Sequence, residues 1–316
     1  MAWKVVLDGP VDLDATLRSG QTFRCDPLPS SRGTDCWSWT IDGAVLRLMA
    51  PRRRPKARTT TLTVDVLAGT SSKPQVEALL RKRDPYRAWC ADLSVDALST
   101  AALAASPGMR LLHQPPWETT VAFICSSANN QRRIRRMLDS LAVRLGSPLL
   151  TPQGEEFARA LPTPQAIAAC SEAQLRALGL GYRAATLLGA ARRVAAKGEV
   201  ATLHACAELP LEKARAHLCQ LPGVGPKVAD CISLFALDHL EAFPLDVWMI
   251  RVLAQGYHLR GPRSYPRMQR WVWRHLPSPR GYLQQFLYHH GRALGREGVA
   301  GLRHQRAPFA GDMAPR

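Results

Sequence analysis

The run Leu221-Pro-Gly-Val-Gly-Pro-Lys-Val-Ala-Asp230 constrains this chain more than any other part of it. Gly223 and Gly225 allow backbone torsions and close approaches that a side chain would obstruct. Pro226 suits the first turn of a helix, where its missing N–H is harmless. With a helical stretch at 211–220 before it and apolar residues after it, the run predicts helix, tight hairpin, helix. The second helix then opens with main-chain N–H groups that no helical bond covers, and such a terminus is a ready anion site. A generic helix–helix turn would account for two nearby glycines. The full run ahead of an apolar helix favours contact with a phosphate backbone.

The charge balance points the same way. The 316 residues carry 42 Lys plus Arg against 25 Asp plus Glu, a formal charge of +17, and only seven of the basic residues are lysines. Arginine offers a planar fork that suits phosphate and stacks on rings, so this balance suits nucleic acid better than mere solubility. A genome biased toward Arg and Ala codons would explain part of the arginine excess but not the low acidic count. The eight cysteines, at 25, 36, 90, 125, 170, 206, 219 and 231, include no close pair of the zinc-knuckle or redox kind. They read as reduced thiols of an intracellular protein. The start Met1-Ala-Trp-Lys-Val-Val-Leu-Asp8 argues against a signal peptide. No stretch approaches the ~20 uncharged apolar residues of a membrane span.

Along the chain, the first 70 residues read as strands. Trp37–Ile41 and Ala44–Leu48 flank Asp42-Gly43, a two-residue hairpin signal. Trp3–Leu7, Thr22–Cys25 and Thr60–Leu67 supply further strands, and 51–58 is a basic loop. After Pro74 the period becomes helical, and beyond Pro116 nearly everything is helical, with a long element expected over Thr119–Leu145. The expectation is an α+β protein: a small antiparallel sheet domain with flanking helices over 1–105, then a helical body over 106–295. The helix-hairpin-helix falls at about 211–238, and 296–316 forms a loose tail.

Two residues carry the candidate chemistry. Lys227, Cys231 and Phe235 recur every four residues, which puts the amine on one stripe with a thiol and an aromatic ring. A positive helix end and apolar neighbours are expected to depress the ammonium pKa and to free the amine as a nucleophile. Asp246, in Phe243-Pro-Leu-Asp-Val247, suits the N-cap of the next helix. A carboxylate held there would stabilise positive charge developing at a sugar. Asp230 and Asp238 read as solvated. The helix that carries Asn129, Asn130, Arg132, Arg133, Arg135 and Arg136 is too polar for a core element and fits a duplex-facing surface.

These residues resemble the 8-oxoguanine DNA glycosylase/AP lyase family of the helix-hairpin-helix superfamily. The motifs that carry the likeness are Ser19-Gly-Gln-Thr-Phe-Arg24, Phe123-Ile-Cys-Ser-Ser-Ala-Asn-Asn130, Leu178-Gly-Leu-Gly-Tyr-Arg183, Leu221–Cys231, Pro244-Leu-Asp-Val247 and Gly281-Tyr-Leu-Gln-Gln-Phe-Leu-Tyr288. The resemblance implies that Lys227 is the nucleophile and Asp246 the assisting carboxylate. It makes the Gly20 carbonyl the acceptor for the N7–H found only in the oxidised base. Gln284 grips the Watson–Crick edge, with Cys231, Phe235 and Tyr288 as pocket walls. Asn129, Asn130, Arg133 and Arg183 meet the orphaned cytosine and the duplex, and Tyr182 is the wedge. Gly223, Gly225, Val228 and Trp248 stand in phosphate-contacting positions. The departures are Ala128 where relatives have the first of three asparagines, Trp248 for a histidine, and Phe235 for a more flexible residue. The first of these bears on preference for cytosine opposite the lesion.

The partner implied is damaged double-stranded DNA, with no membrane partner and a monomeric protein. No catalytic metal or cofactor is expected, although hairpin carbonyls suit a structural alkali-metal ion. The setting expected is the bacterial cytoplasm or nucleoid. Two other readings share the fold. A monofunctional glycosylase for alkylated bases lacks the lysine. A relative acting on oxidised pyrimidines commonly carries a four-cysteine iron–sulfur loop near the C-terminus, whereas here no cysteine follows Cys231. A non-catalytic DNA-binding protein is the third alternative.

Overall fold

Alternating burial along the first strands builds a sheet with one face on a core. The computed structural model describes residues 2–52, 55–259, 261 and 264–302. Strands β1 (Ala2–Asp8), β2 (Cys25–Pro27), β3 (Thr34–Ile41), β4 (Ala44–Pro51) and β5 (Thr59–Gly69) form an antiparallel sheet in the order β1-β5-β4-β3-β2. Asp42 and Gly43 turn β3 into β4 with φ of 51° and 70°, the paired positive torsions whose twist matches a two-residue hairpin. Trp37, Trp39, Leu46 and Leu48 share a core with residues of helices α1 (Leu13–Arg18) and α2 (Lys73–Leu79).

Helices α3 (Tyr86–Asp92) and α4 (Ala97–Ala105) belong elsewhere. Their Tyr86, Leu98 and Ala102 pack into the core of the helical body, so the core divides earlier in the chain than the boundary expected at 105/106. The body continues with α5 (Pro116–Cys125), α6 (Gln131–Leu145), α7 (Pro164–Ala168), α8 (Glu172–Leu175), α9 (Arg183–Lys197) and α10 (Glu199–Thr202). It is completed by α11 (Leu211–Leu218), α12 (Pro226–Ala236), α13 (Val247–Gly256), α14 (Tyr265–His275) and α15 (Arg280–Gly301).

Three expectations are corrected. The long element over 119–145 is two helices, α5 and α6, because Ala128 takes a left-handed φ of 46° and the Asn130 side chain caps the Arg133 N–H at 2.9 Å. A small hairpin, β6 (Pro148–Leu150) with β7 (Glu156–Arg159), interrupts the helices and packs Leu149 on Val45 and Ala68. The segment read as a tail from 296 stays helical to Gly301 after a break at Gly295, whose φ is 69°. Residues 303–316 lie outside those described.

Sheet and body are joined by buried polar groups. Gln21 donates to the Arg110 carbonyl at 2.7 Å and accepts from Leu112 N–H at 2.8 Å, while Gln114 donates to the Gln21 carbonyl at 2.9 Å. Arg135 of α6 grips Asp26 of β2 at 2.7 and 2.9 Å. These bonds hold the segment around Gly20 against the helices that carry the site.

Candidate functional site

The hairpin closes as its sequence requires, but its two glycines differ. Gly223 has φ of 81°, and a Cβ there would lie 2.9 Å from Thr186 Cβ, so the chain itself demands glycine. Gly225 has an ordinary φ of −90°, and a Cβ would meet nothing within 4 Å. Any demand for glycine at 225 therefore comes from outside the protein. Gly225 is the N-cap of α12, no side chain caps that helix, and the first helical bond is Ala229 N–H to the Gly225 carbonyl. The first-turn N–H groups, including that of Val228, are thus offered outward while the Val228 side chain is buried.

Lys227 is half-buried in the first turn of α12. Its Nζ donates to Ser126 Oγ at 3.3 Å and lies 5.0 Å from the Phe123 ring centroid. Cys231, one turn on, is buried, and burial pushes its thiol up to about 11 although Lys227 draws it down. It therefore faces the lysine uncharged at neutral pH. Asp246 caps α13 through Met249 N–H at 2.8 Å. Burial raises its carboxyl above the usual carboxylate range, and the Met249 N–H, the Lys227 ammonium, the Trp248 N–H and the Arg292 guanidinium draw it back. One anion and two cations thus act on one another in a corner where Lys227 and Asp246 are half-buried and Arg292 is exposed.

Gly20 adjoins that corner with φ of 84°, and a Cβ there would lie 3.3 Å from Tyr288 Oη. The Tyr288 phenol is held at about 12 by burial and by the Asp246 carboxylate. Gln284 is buried, donates weakly to the Pro244 carbonyl at 3.3 Å, and leaves its own Oε1 without a partner. An unpaired buried amide oxygen is costly, so this one is poised for a donor that arrives with a ligand. Phe235 sits apart: it stacks on Phe123 with centroids 5.4 Å apart and planes 8° apart, part of the floor beneath Lys227.

The duplex-facing candidates gather around the turn between α5 and α6. Asn129 donates to the Cys125 carbonyl at 2.9 Å and Asn130 caps α6, so both side chains are occupied in shaping the turn. The Arg133 side chain is exposed. Arg183, expected at the orphaned base, is only 3% exposed: Nε donates to the Ser127 carbonyl at 3.1 Å, Nη2 also reaches that oxygen, and Nη2 lies 3.4 Å from the Ala128 carbonyl. Tyr182 is 57% exposed, stacks under the Arg183 guanidinium at 4.3 Å, and donates to the same Ser127 oxygen at 3.1 Å. Trp248 lies half-buried after the Asp246 cap with Arg251 over its ring at 5.2 Å.

Asp230, read as solvated, is fully buried. Arg215 at 2.8 Å, Tyr265 Oη at 2.5 Å and Gln269 Nε2 at 2.8 Å satisfy its carboxylate, so it braces the hairpin helices from behind. Asp238 is the exposed partner of Arg81 and His113, which hold its carboxyl at about 2. Sequence reasoning missed Phe123 and Ser126 as contacts of Lys227. It also missed Gln131, Gln285 and Arg292, which surround Gly20. Arg292 had a signal, since Gln284, Tyr288 and Arg292 recur every four residues on α15.

No family model matches the chain. It is 35% identical over 191 residues to the N-glycosylase/DNA lyase of Saccharomyces cerevisiae, covering 58% of this chain and 50% of that protein. It is 39% identical over 165 residues to the N-glycosylase/DNA lyase OGG1 of Arabidopsis thaliana, covering 51% of this chain and 45% of that one. The chain thus spans about half the length of these two relatives. Among solved structures, that of MBOgg1 in complex with a low-affinity DNA ligand superposes with a TM-score of 0.78 at 26% identity, covering 93% of this chain and 96% of that one. The Clostridium acetobutylicum 8-oxoguanine glycosylase/lyase, in complex with double-stranded DNA containing cytosine opposite 8-oxoG, gives 0.76 at 22% identity over 90% and 92%. At that identity the likeness speaks for the fold alone.

Proposed function

We propose that the chain is an 8-oxoguanine DNA glycosylase/AP lyase of the helix-hairpin-helix superfamily, which excises 8-oxo-7,8-dihydroguanine from duplex DNA and then nicks the strand; its likeness to the yeast and plant N-glycosylase/DNA lyases supports the reading. The observation that carries this reading is the corner where Lys227 acts electrostatically on the half-buried Asp246, beside Gly20 and the unpaired amide oxygen of Gln284.

A base inside a duplex is out of reach, so the lesion is first extruded at a cost of a few kcal/mol. The hairpin N–H groups and exposed arginines hold the flanking phosphates. Gln284 Oε1 accepts from the Watson–Crick edge, and Gly20 carbonyl accepts the N7–H. The Lys227 nitrogen, having given up its ammonium proton, forms a bond to C1′ as the bond from C1′ to the base nitrogen breaks, and the electron pair leaves with the base, which is then protonated. Asp246, ionised, stabilises the positive charge that grows on the sugar. The nitrogen then loses a second proton, and its lone pair forms the C1′=N bond of a Schiff base as the C1′–O4′ bond breaks and O4′ takes up a proton. Removal of a C2′ proton, a step the freed base can assist, then expels the 3′ phosphate by β-elimination.

No cofactor takes part in these steps. An alkali-metal ion at the hairpin would rest on main-chain carbonyls such as those of Gln220, which accepts from Arg193, and Leu221, which accepts from Val224 N–H; each oxygen carries a second lone pair. The working partner is damaged double-stranded DNA, met by a monomer inside the cell. Relatives from yeast and a plant leave the bacterial setting resting on the Arg-rich composition alone.

Borohydride trapping tests the reading. Wild-type protein should form a covalent adduct with 8-oxoguanine duplex, and Lys227→Gln should lose both adduct and strand cleavage while still binding. Full activity in purified Lys227→Gln would sink the assignment.

A further inference from the structure

The peptide unit between Ser19 and Gly20 is held at both ends by side chains from two different helices. Its carbonyl, on Ser19, accepts from Gln285 Nε2 of α15 at 3.1 Å. Its N–H, on Gly20, lies 3.2 Å from the Gln131 amide oxygen at the start of α6, with that amide oriented so its oxygen faces both of its donors. The second donor is Arg292 Nη1 at 2.5 Å, which fixes the Gln131 side chain from the far side and lies over the Tyr288 ring at 5.6 Å. Gln285 is 3% exposed, and the Ser19 backbone it grips is fully buried. Gly20 meanwhile has φ of 84°, a torsion that glycine alone adopts without strain. Among the described residues no donor engages the carbonyl of Gly20 itself.

From this geometry we infer that Gln131, Gln285 and Arg292 are positioning residues for lesion discrimination. They lock one peptide plane so that the next carbonyl, that of Gly20, is presented in a fixed direction to the extruded base. A backbone acceptor distinguishes a purine carrying N7–H from one carrying a lone pair at N7 only if it cannot rotate away. Facing unmodified guanine, a free peptide would turn and lose the repulsion between two acceptors. A locked one keeps it. The inference rests on the proposed glycosylase reading and adds to it the machinery behind its discriminating carbonyl.

The test compares two substrates of the same full-length protein. One duplex contains 8-oxoguanine opposite cytosine; the other contains a preformed abasic site, which has no base to sense. In single-turnover assays Gln131→Leu, which removes the acceptor for Gly20 N–H, should lower 8-oxoguanine excision roughly tenfold, the scale of one lost hydrogen bond. Cleavage at the abasic site should stay within about twofold of wild type. Gln131→Glu keeps an acceptor between Gly20 and Arg292 and should restore excision. Gln285→Met frees the opposite end of the same peptide and should show the same selective loss, which keeps the test alive if one variant folds poorly by thermal melting. An equal fall on both substrates, or no fall in either variant, would overturn the inference. Wild-type protein that cleaves abasic DNA but ignores 8-oxoguanine would instead overturn the proposed substrate.

Discussion

Alanine at 223 and alanine at 225 should fail in different ways, although the two positions look alike in the sequence. At Gly223 a φ of 81° costs an L-residue about 1–2 kcal/mol. The added methyl also sits 2.9 Å from Thr186 Cβ and 3.0 Å from Thr186 Oγ1, and Oγ1 is fixed by donating to the Arg183 carbonyl at 3.0 Å. Overpacking of that kind costs about 1–3 kcal/mol, so Gly223→Ala should lose roughly 2–5 kcal/mol. At Gly225 the torsion is ordinary and the space is empty of protein, so Gly225→Ala should stay within about 1 kcal/mol of wild type, the cost of a poorer N-cap. The same methyl would stand over the N–H groups that face a phosphate, and duplex affinity should fall about tenfold. Urea denaturation measures the first effect and fluorescence anisotropy on a short duplex at fixed salt the second. Adding Thr186→Ala to Gly223→Ala should recover only the packing part. If Gly225→Ala unfolds as readily as Gly223→Ala, or binds duplex as well as wild type, the division of labour between the two glycines is wrong.

Three further outcomes are expected. On the proposed mechanism excision needs Asp246 ionised, and burial raises its pKa while Arg292 lowers it, so activity should fall on acidification above the usual carboxylate range. Arg292→Leu should move that acid limb to higher pH, and an unmoved limb in a single-turnover pH profile would contradict the assigned contact. Asp230→Ala strips the shared partner from Arg215, Tyr265 and Gln269 and should cost about 3–5 kcal/mol; an unchanged melting temperature would count against the network as a brace. Ala128 already sits at φ of 46°, a torsion asparagine tolerates, so Ala128→Asn should fold normally and sharpen discrimination by the opposite base. Unchanged relative rates against the four opposite bases would reject that role.

What was legible in the sequence was what short-range chemistry dictates. Asp42-Gly43 specifies its own turn, Gly223 and Pro226 specify the hairpin, and Asp246 caps the helix it precedes. The break between α5 and α6 was harder to see, since apolar residues keep helical spacing across it and only Ala128's torsion and the Asn130 cap interrupt the backbone. Asp230 was misread because its donors come from positions 215, 265 and 269, and nothing local reveals that they converge. Phe235 illustrates the same limit: its four-residue spacing from Cys231 fixes a stripe, but the ring turns to Phe123 instead of standing free. The clamp around Gly20 joins positions 19, 131, 285 and 292, and only the folded chain brings them together.

The Ser127 carbonyl has two lone pairs and three suitors: Tyr182 Oη, Arg183 Nε and Arg183 Nη2. One of these claims is surplus. A nucleic-acid acceptor that recruits Tyr182 or a guanidinium N–H would therefore relieve an oversubscribed oxygen instead of orphaning it. The loop can thus release one donor without orphaning that oxygen, and on the proposed reading the energy of meeting DNA is left for opening the stack.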